Sequence, residues 1–183
     1  MVVIDNFLSC FDELKEHSLV CSFGDIVNPA DGVVYPHINL DIPSAVLNEI
    51  KEKINKIFGA VTINYAFLRM SPKGAFAPQA VHTDCSMGKY SLMLYLNNAD
   101  GGTAMMAHKA SGISQAPMDA AFLAVTTPDK NNIDAWEIID IAEMKENRAA
   151  IFDAKKYHCA LPVGGFGESQ PESRIVMTVF FND

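Results

Sequence analysis

The stretch Ser173-Arg174-Ile175-Val176-Met177-Thr178-Val179-Phe180-Phe181 is rich in β-branched and aromatic residues. Such composition is typical of a β-strand, and its apolar character predicts that the strand is buried. Arg174 is the one charged residue in the run. A buried guanidinium needs an anionic partner, which a dicarboxylic ligand or an internal Asp or Glu could supply. The run therefore predicts a core strand that carries one residue of special chemistry.

Further strands are predicted upstream of this run, because short apolar segments alternate with Gly, Pro and Asn turns. They are Val2 to Ile4, Val61 to Phe67, Tyr90 to Leu96, Thr103 to Ala107, Ala121 to Thr126, Trp136 to Ile141 and Arg148 to Phe152. Two helices precede most of them, one from Asp5 or Asn6 to about Leu19 and one from Pro43 to Gly59. The order predicts an α+β, mainly β fold: a double-stranded β-helix, or jelly roll, from about Val61 to Phe181.

The second helix carries an apolar face that has to be buried. The face consists of Val46, Leu47, Ile50, Ile54 and Ile57. Residues at these spacings lie on one side of an α-helix. We therefore expect the two N-terminal helices to pack on one sheet of the jelly roll.

Composition limits the class of protein. The 183 residues, 49% hydrophobic and 20% charged, suit a single domain spanning residues 1–183. The net charge of −8 argues against a nucleic-acid partner. No apolar run has the length of a membrane span, and the first residues lack the basic start of a signal peptide. The four cysteines form no CxxC pair, so we expect reduced thiols and a cytoplasmic location.

His82-Thr83-Asp84, together with His158, predicts a metal site. Residues i and i+2 of a strand point to the same face, so His82 and Asp84 could bind one ion. Two histidines and a carboxylate are the ligands of non-haem Fe(II) oxygenases. An HxD motif alone arises by chance, and the motif then marks an ordinary histidine beside an unrelated aspartate.

Other ligands are possible in principle. Cys85 and Cys159 each follow a proposed ligand, which raises the alternative of a zinc site. Adjacent residues of a strand face opposite sides, however, so we expect both thiols to be core cysteines. Among the remaining histidines, His108 is the competitor for the place of His158, and we rank it below.

The ordered set of motifs resembles the Fe(II)/2-oxoglutarate-dependent dioxygenases, and most closely the prolyl-hydroxylase-like subgroup. The motifs are His82-Thr83-Asp84, Tyr90 to Asn97, Gly101-Gly102, Asn147 to Asp153, Tyr157-His158 and Ser173 to Phe181, and the opening Val3 to Leu8 also agrees. The resemblance covers nearly the whole chain, with its specific motifs between Val81 and Phe181.

The resemblance implies a role for each site residue. His82, Asp84 and His158 would bind Fe(II), and Arg174 would bind the distal carboxylate of the co-substrate 2-oxoglutarate. Tyr95 would donate a hydrogen bond to that carboxylate, or would instead be a core aromatic residue. With O₂, the enzyme would hydroxylate a substrate and release succinate and CO₂. That substrate, a protein side chain or a small molecule, is not identified by the sequence, and neither is the oligomeric state.

The chain departs from the subgroup between His158 and Arg174, where its connection is longer. This departure puts a prolyl substrate in doubt. The loops Ser71 to Gln79 and Val163 to Ser173 flank the site in sequence, as a substrate lid or as ordinary connections. Two other functions stay open: a cupin-like metal enzyme without 2-oxoglutarate, and a non-catalytic binding module on the same fold.

Overall fold

The computed structural model describes residues 1–27, 32–116 and 120–183, with the side chains of residues 120–122 excluded. Its strands are β1 (Val2–Ile4), β2 (Gly24–Val27), β3 (Val34–Asn39), β4 (Thr62–Ser71), β5 (Tyr90–Tyr95), β6 (Gly102–His108), β7 (Trp136–Glu143), β8 (Ala149–Asp153), β9 (His158–Leu161) and β10 (Arg174–Asn182). Its helices are α1 (Phe11–Val20), α2 (Ser44–Phe58) and α3 (Ala120–Thr126). Short 3-10 turns lie at Thr127–Asp129, Ile133–Ala135 and Gln170–Glu172.

The strands form two antiparallel sheets. The large sheet has the order β1-β8-β5-β10-β4-β3-β2, and the small sheet has the order β7-β6-β9. The predicted class is confirmed: a mainly β jelly roll in which β10, the opening run, pairs with both β4 and β5 at the centre of the large sheet. Arg174 therefore begins a central strand.

The two faces of the large sheet have different partners. On β10, Ile175, Met177, Val179 and Phe181 share one hydrophobic core with residues of both N-terminal helices. Val176 belongs to a separate core with Tyr95, on the opposite face. The predicted packing of the helices on one sheet is thus confirmed, and the other face lines the interior of the jelly roll.

Several elements differ from the sequence predictions. The segment from Ala121 to Thr126, predicted as a strand, lies in helix α3, because a short apolar run has no periodicity that separates helix from strand. The hairpin of β2 and β3 was not predicted. The first helix begins at Phe11, several residues later than expected.

The described residues contain no helix that is both long and apolar enough to cross a membrane. The four cysteines are free thiols, as expected.

Helix α2 should contribute strongly to stability through one side. Val46, Ile50 and Ile54 have no exposed surface, whereas Ile57, predicted for the same face, is 45% exposed. Ile54→Ala should lower the free energy of unfolding by about 2–5 kcal/mol, because the cavity left in the core cannot close fully. The matched variant Ile57→Ala should cost about 0.5 kcal/mol or less. Urea melts measure both, and equal losses would contradict the packing of α2 described here.

Candidate metal centre

The backbone brings His82 and His158 side by side. The His82 N–H donates to the His158 carbonyl at 3.0 Å, and the His158 N–H donates to the His82 carbonyl at 2.9 Å. This antiparallel bridge adds His82 to the outer edge of β9. The imidazole rings follow the backbone, and their centroids lie 4.4 Å apart. Two residues far apart in sequence thus become neighbours through one reciprocal pair of hydrogen bonds.

Asp84 is held by a turn and not by a strand. Its N–H donates to the Ala154 carbonyl at 2.8 Å, and its own carbonyl accepts from the Met87 N–H at 2.8 Å. The Ser91 hydroxyl, on β5, donates to Asp84 Oδ2 at 3.4 Å. The prediction that His82 and Asp84 lie on one face of a strand was therefore wrong, because Asp84 is not in a strand. The two side chains nevertheless lie close together.

The three side chains form a cluster with the geometry of a metal site. One donor atom from each of His82, Asp84 and His158 lies within 4.8 Å of the others. Asp84 Oδ2 is 3.1 Å from His158 Nε2, and Asp84 Oδ1 is 3.7 Å from His82 Nε2. Donors bound at about 2.1 Å on neighbouring corners of an octahedron would lie roughly 3 Å apart. The donor set therefore fits a divalent ion such as Fe(II) with only small movements.

Burial and charge prepare the three groups as ligands. Burial, followed by the nearby His158, lowers the pKa of His82, which keeps this imidazole neutral. Burial alone would raise the pKa of Asp84, but the charge and hydrogen bond of His158 outweigh it and hold that pKa below its usual range. The pKa of His158 is raised because Asp84 outweighs the opposite effect of burial. A metal ion would have to displace the proton that His158 and Asp84 share.

His158 is oriented by a second contact. Its Nδ1 lies 3.0 Å from the Lys156 carbonyl and donates a hydrogen to it, so Nε2 is the atom that faces the cluster and would bind a metal ion after losing its proton. Metal-binding histidines commonly have this arrangement. Side-chain exposure is 3% for His158, 14% for Asp84 and 27% for His82, so the cluster is open on the His82 side.

The connection between β6 and β7 supports both histidines, a role that the sequence analysis missed. The Val81 N–H donates to the Lys130 carbonyl at 2.8 Å, directly before His82. The Tyr157 hydroxyl lies 2.7 Å from Thr126 Oγ1, directly before His158. Because no regular pattern marks this connection in the sequence, only the folded chain reveals these contacts.

Arg174 lies inside the jelly roll, and its guanidinium has few hydrogen-bond partners there. Its side chain is buried, with 4% exposure for the residue. Nη2 donates a long 3.4 Å hydrogen bond to the Gly102 carbonyl, and Nε has no hydrogen-bond partner. Burial lowers the pKa of Arg174 to about 10. Within the described parts of the chain, no carboxylate lies at ion-pair distance from it, so the binding of a dicarboxylic ligand by Arg174 stays a prediction.

Tyr95 is fully buried near Arg174. Its hydroxyl oxygen lies 2.9 Å from Thr103 Oγ1 and 3.1 Å from the Ala142 carbonyl. The nearby Tyr95 hydroxyl raises the pKa of Arg174 electrostatically and thereby offsets part of the effect of burial. The proposed hydrogen bond from Tyr95 to a co-substrate carboxylate stays a prediction, because its hydrogen already has partners on the small sheet.

The alternative ligands lie elsewhere. His108 bonds to Ser111 Oγ at 2.8 Å and to Asp129 Oδ2 at 3.0 Å, and it is not part of the cluster. Cys159 is buried against Met106, as expected. Cys85, also expected in the core, is exposed, because the turn after Asp84 carries it to the surface.

The two predicted lid loops contact one another. The Lys73 N–H donates to the Gly167 carbonyl at 2.9 Å, and the Ala75 N–H donates to the Gly164 carbonyl at 3.0 Å. Gly165 has φ of 70°, and a Cβ there would collide with the backbone of Ser71. The close approach of the loops therefore requires glycine at this position. Both loops lie next to the Arg174 end of β10, since Arg174 pairs with Ser71.

Comparison with solved structures gives clear matches. An oxidoreductase of the 2OG-Fe(II) oxygenase family from Burkholderia pseudomallei aligns over 98% of this chain and 84% of its own, with a TM-score of 0.55 and 10% identity. A truncated viral collagen prolyl hydroxylase from Paramecium Bursaria Chlorella virus-1 aligns over 98% of this chain and 87% of its own, with a TM-score of 0.54 and 14% identity. EctD from S. alaskensis, in a structure with 2-oxoglutarate and 5-hydroxyectoine, aligns over 99% of this chain and 71% of its own, with a TM-score of 0.53 and 14% identity.

The chain has the fold of the 2-oxoglutarate/Fe(II) oxygenases. Neither the protein-family models nor the curated proteins match its sequence. At 10–14% identity, the structural matches establish the oxygenase fold, and the chemistry has to be argued from the side chains.

Removing the carboxylate ligand should abolish metal binding. In Asp84→Ala, two imidazoles remain, which is too few donors to retain Fe(II) through desalting. Elemental analysis after anaerobic loading should show about one iron per wild-type chain and almost none in the variant. Asp134→Ala removes an exposed carboxylate and serves as the control. Full iron occupancy in folded Asp84→Ala, with folding checked by circular dichroism, would refute the assignment.

Proposed function

We propose that this protein is an Fe(II)- and 2-oxoglutarate-dependent oxygenase that hydroxylates its substrate. His82, Asp84 and His158 would hold the iron on one side and leave the other positions for ligands. Iron bound there would supply the oxidative chemistry, in which O₂ and 2-oxoglutarate give succinate, CO₂ and a hydroxylated substrate. The net charge of −8 favours a small molecule or a protein side chain over nucleic acid as the substrate.

The observation that carries this proposal is the state of Arg174. A guanidinium with 4% exposure and one long hydrogen bond is costly unless a ligand completes its contacts. Two adjacent N–H donors of an arginine match a carboxylate in a forked pair. A ligand with one carboxylate for Arg174 and a second group for the metal has the chemistry of 2-oxoglutarate.

The chain's own residues would mainly position the co-substrate and enclose the site. Arg174 would fix one end of the co-substrate, so that its other end meets the metal in one orientation. The buried position of His158 and Tyr95 keeps bulk water from that side of the pocket. The joined loops around Lys73 and Gly167 lie next to Arg174 and would close the pocket during turnover.

The two rival functions explain less. A cupin-like enzyme without 2-oxoglutarate would have no use for a buried guanidinium without a carboxylate partner. A non-catalytic module would not need two histidines and an aspartate with their donor atoms within 4.8 Å.

The contribution of Arg174 can be isolated with a pair of co-substrates. 2-Oxovalerate has the length of 2-oxoglutarate but lacks the distal carboxylate. Wild-type protein should bind 2-oxoglutarate more tightly by a factor of about 10–100, the value of hydrogen bonds to a charged group. In Arg174→Gln this preference should largely disappear, whereas Arg174→Lys should keep part of it, since lysine retains the charge but not the fork. Calorimetric titration of the anaerobic iron protein measures each affinity.

Thermal melts of the metal-free variants complete this test. If Arg174 serves a ligand, Arg174→Gln should leave the stability of the metal-free protein nearly unchanged. If it formed a structural ion pair, the same substitution would cost about 3–5 kcal/mol. A preference for 2-oxoglutarate that is equal in wild type and Arg174→Gln would refute the co-substrate role.

A further inference from the structure

A second arginine, Arg69, lies on the same inner face of the large sheet as Arg174. On β4 and β5, Arg69 and Tyr95 both pair with Val176 of β10, so these three residues form one row across the sheet. Directly paired residues point to the same face. Val176 and Tyr95 belong to the inner core, so Arg69 points into the jelly roll.

A β-bulge produces this orientation. Phe181 pairs with Ile63, but Phe180 pairs with Tyr65, so β4 has one extra residue, Asn64, at that point. The extra residue reverses which side chains face inward along the rest of β4. Ile63 consequently packs toward the helices, and Arg69 faces the interior of the jelly roll.

Arg69 has no anionic partner within the described residues. No carboxylate of the described residues lies within ion-pair distance of its guanidinium. Burial lowers the pKa of Arg69, while the more distant charges of Asp84 and Tyr35 partly restore it. The charge of Arg69 also contributes to the lowered pKa of Arg174. Two guanidinium groups that face the same side of the sheet without a carboxylate partner favour the binding of anions.

In the proposed function, the charge of Arg69 is not balanced by the metal ligands or by the co-substrate. A divalent ion would be balanced by Asp84 and by the proximal carboxylate of 2-oxoglutarate. Arg174 would be balanced by the distal carboxylate. With metal and co-substrate both bound, one positive charge, that of Arg69, still has no counterpart, and the remaining ligand of such an enzyme is its primary substrate.

The position of Arg69 agrees with a substrate contact. Asp84 is held by the end of β8 and by Ser91 of β5, on one side of β10. Arg69 lies on β4, on the other side of β10. Along the strands, its row falls between that of Arg174 and that of Ser91. Arg69 is also partly exposed, unlike Arg174, and its charge contributes to the lowered pKa of His82, so it lies within electrostatic reach of the triad.

We propose that Arg69 binds a carboxylate, or a similar anionic group, of the primary substrate, and that the substrate is therefore an anion. This inference rests on the proposed function for its choice between substrate and co-substrate. Arg69 would orient the substrate through a forked, charge-assisted contact, so that a C–H bond of the substrate rather than its charged group lies next to the metal.

The probes for this proposal are acetate and acetamide, which have the same shape and differ in charge. In wild-type protein loaded anaerobically with Fe(II) and 2-oxoglutarate, acetate should raise the melting temperature at constant ionic strength, and acetamide should not. Arg69→Met should weaken acetate binding by about 10–100-fold, and Arg69→Lys should retain part of it. Lys51→Met, which removes an exposed positive charge from α2, should bind acetate as the wild type does.

Two further measurements separate the alternatives. The affinity of Arg69→Met for 2-oxoglutarate should stay within about threefold of wild type, and a loss of tenfold or more would assign Arg69 to the co-substrate. The melting temperature of metal-free Arg69→Met should not fall, and a clear fall would make Arg69 a structural residue. Acetate binding that is the same in Arg69→Met and wild type would overturn the proposal directly.

A separate experiment tests the Arg69 site in the case that the proposed function is rejected. If wild-type protein binds no 2-oxoglutarate, that function is rejected before any acetate is added. The acetate titration is then measured in metal-free Arg174→Gln, where Arg69 is the inward-facing arginine that remains on the large sheet. Stabilisation by acetate that disappears in Arg174→Gln/Arg69→Met would still support an anion site at Arg69, and its absence in Arg174→Gln would refute that site.

Discussion

The reciprocal hydrogen bonds between His82 and His158 are the contact on which the candidate site depends. They join the turn before β5 to the first residue of β9, and thereby connect two halves of the chain that no local interaction could bring together. Asp84 then reaches His158 from the adjoining turn, anchored on Ala154 at the end of β8. The metal cluster thus spans both sheets, and it requires the complete jelly roll to exist.

The large sheet separates two environments through the alternation of β10. Its odd-numbered residues meet the helices in an ordinary apolar core, and its even-numbered residues face the interior with Arg174 at one end. The helices therefore stabilise the sheet without contributing to the chemistry. This division explains how a protein of 183 residues can keep guanidinium groups inside, because the apolar burial that stabilises it lies on the other face.

The sequence allowed prediction of those features that follow from local pattern or from residue type. Helix α2 followed from its 3.6-residue periodicity, and the triad followed from the spacing of His82, Asp84 and His158 within a set of motifs. Arg174 stood out because it is the one charge in an apolar run. In these cases a single segment contained its own physical signal.

The rest depends on contacts between distant segments. Arg69 was missed because the bulge at Asn64, which turns it inward, is set by the pairing of β4 with β10. The hydrogen bond between Thr126 and Tyr157, next to His158, could not be predicted, since it depends on how an irregular connection packs. Helix α3 was misassigned because a short apolar run suits both helix and strand equally.

The triad and Arg174 are proposed to bind Fe(II) and 2-oxoglutarate together at one site. The most direct measurement is anaerobic titration of 2-oxoglutarate into the Fe(II)-loaded protein, followed by visible absorption. Binding of both ligands at one site predicts a weak visible band that requires both components and saturates at one 2-oxoglutarate per iron. Iron that binds tightly while 2-oxoglutarate produces no band would contradict a shared site and favour a metal enzyme of another kind.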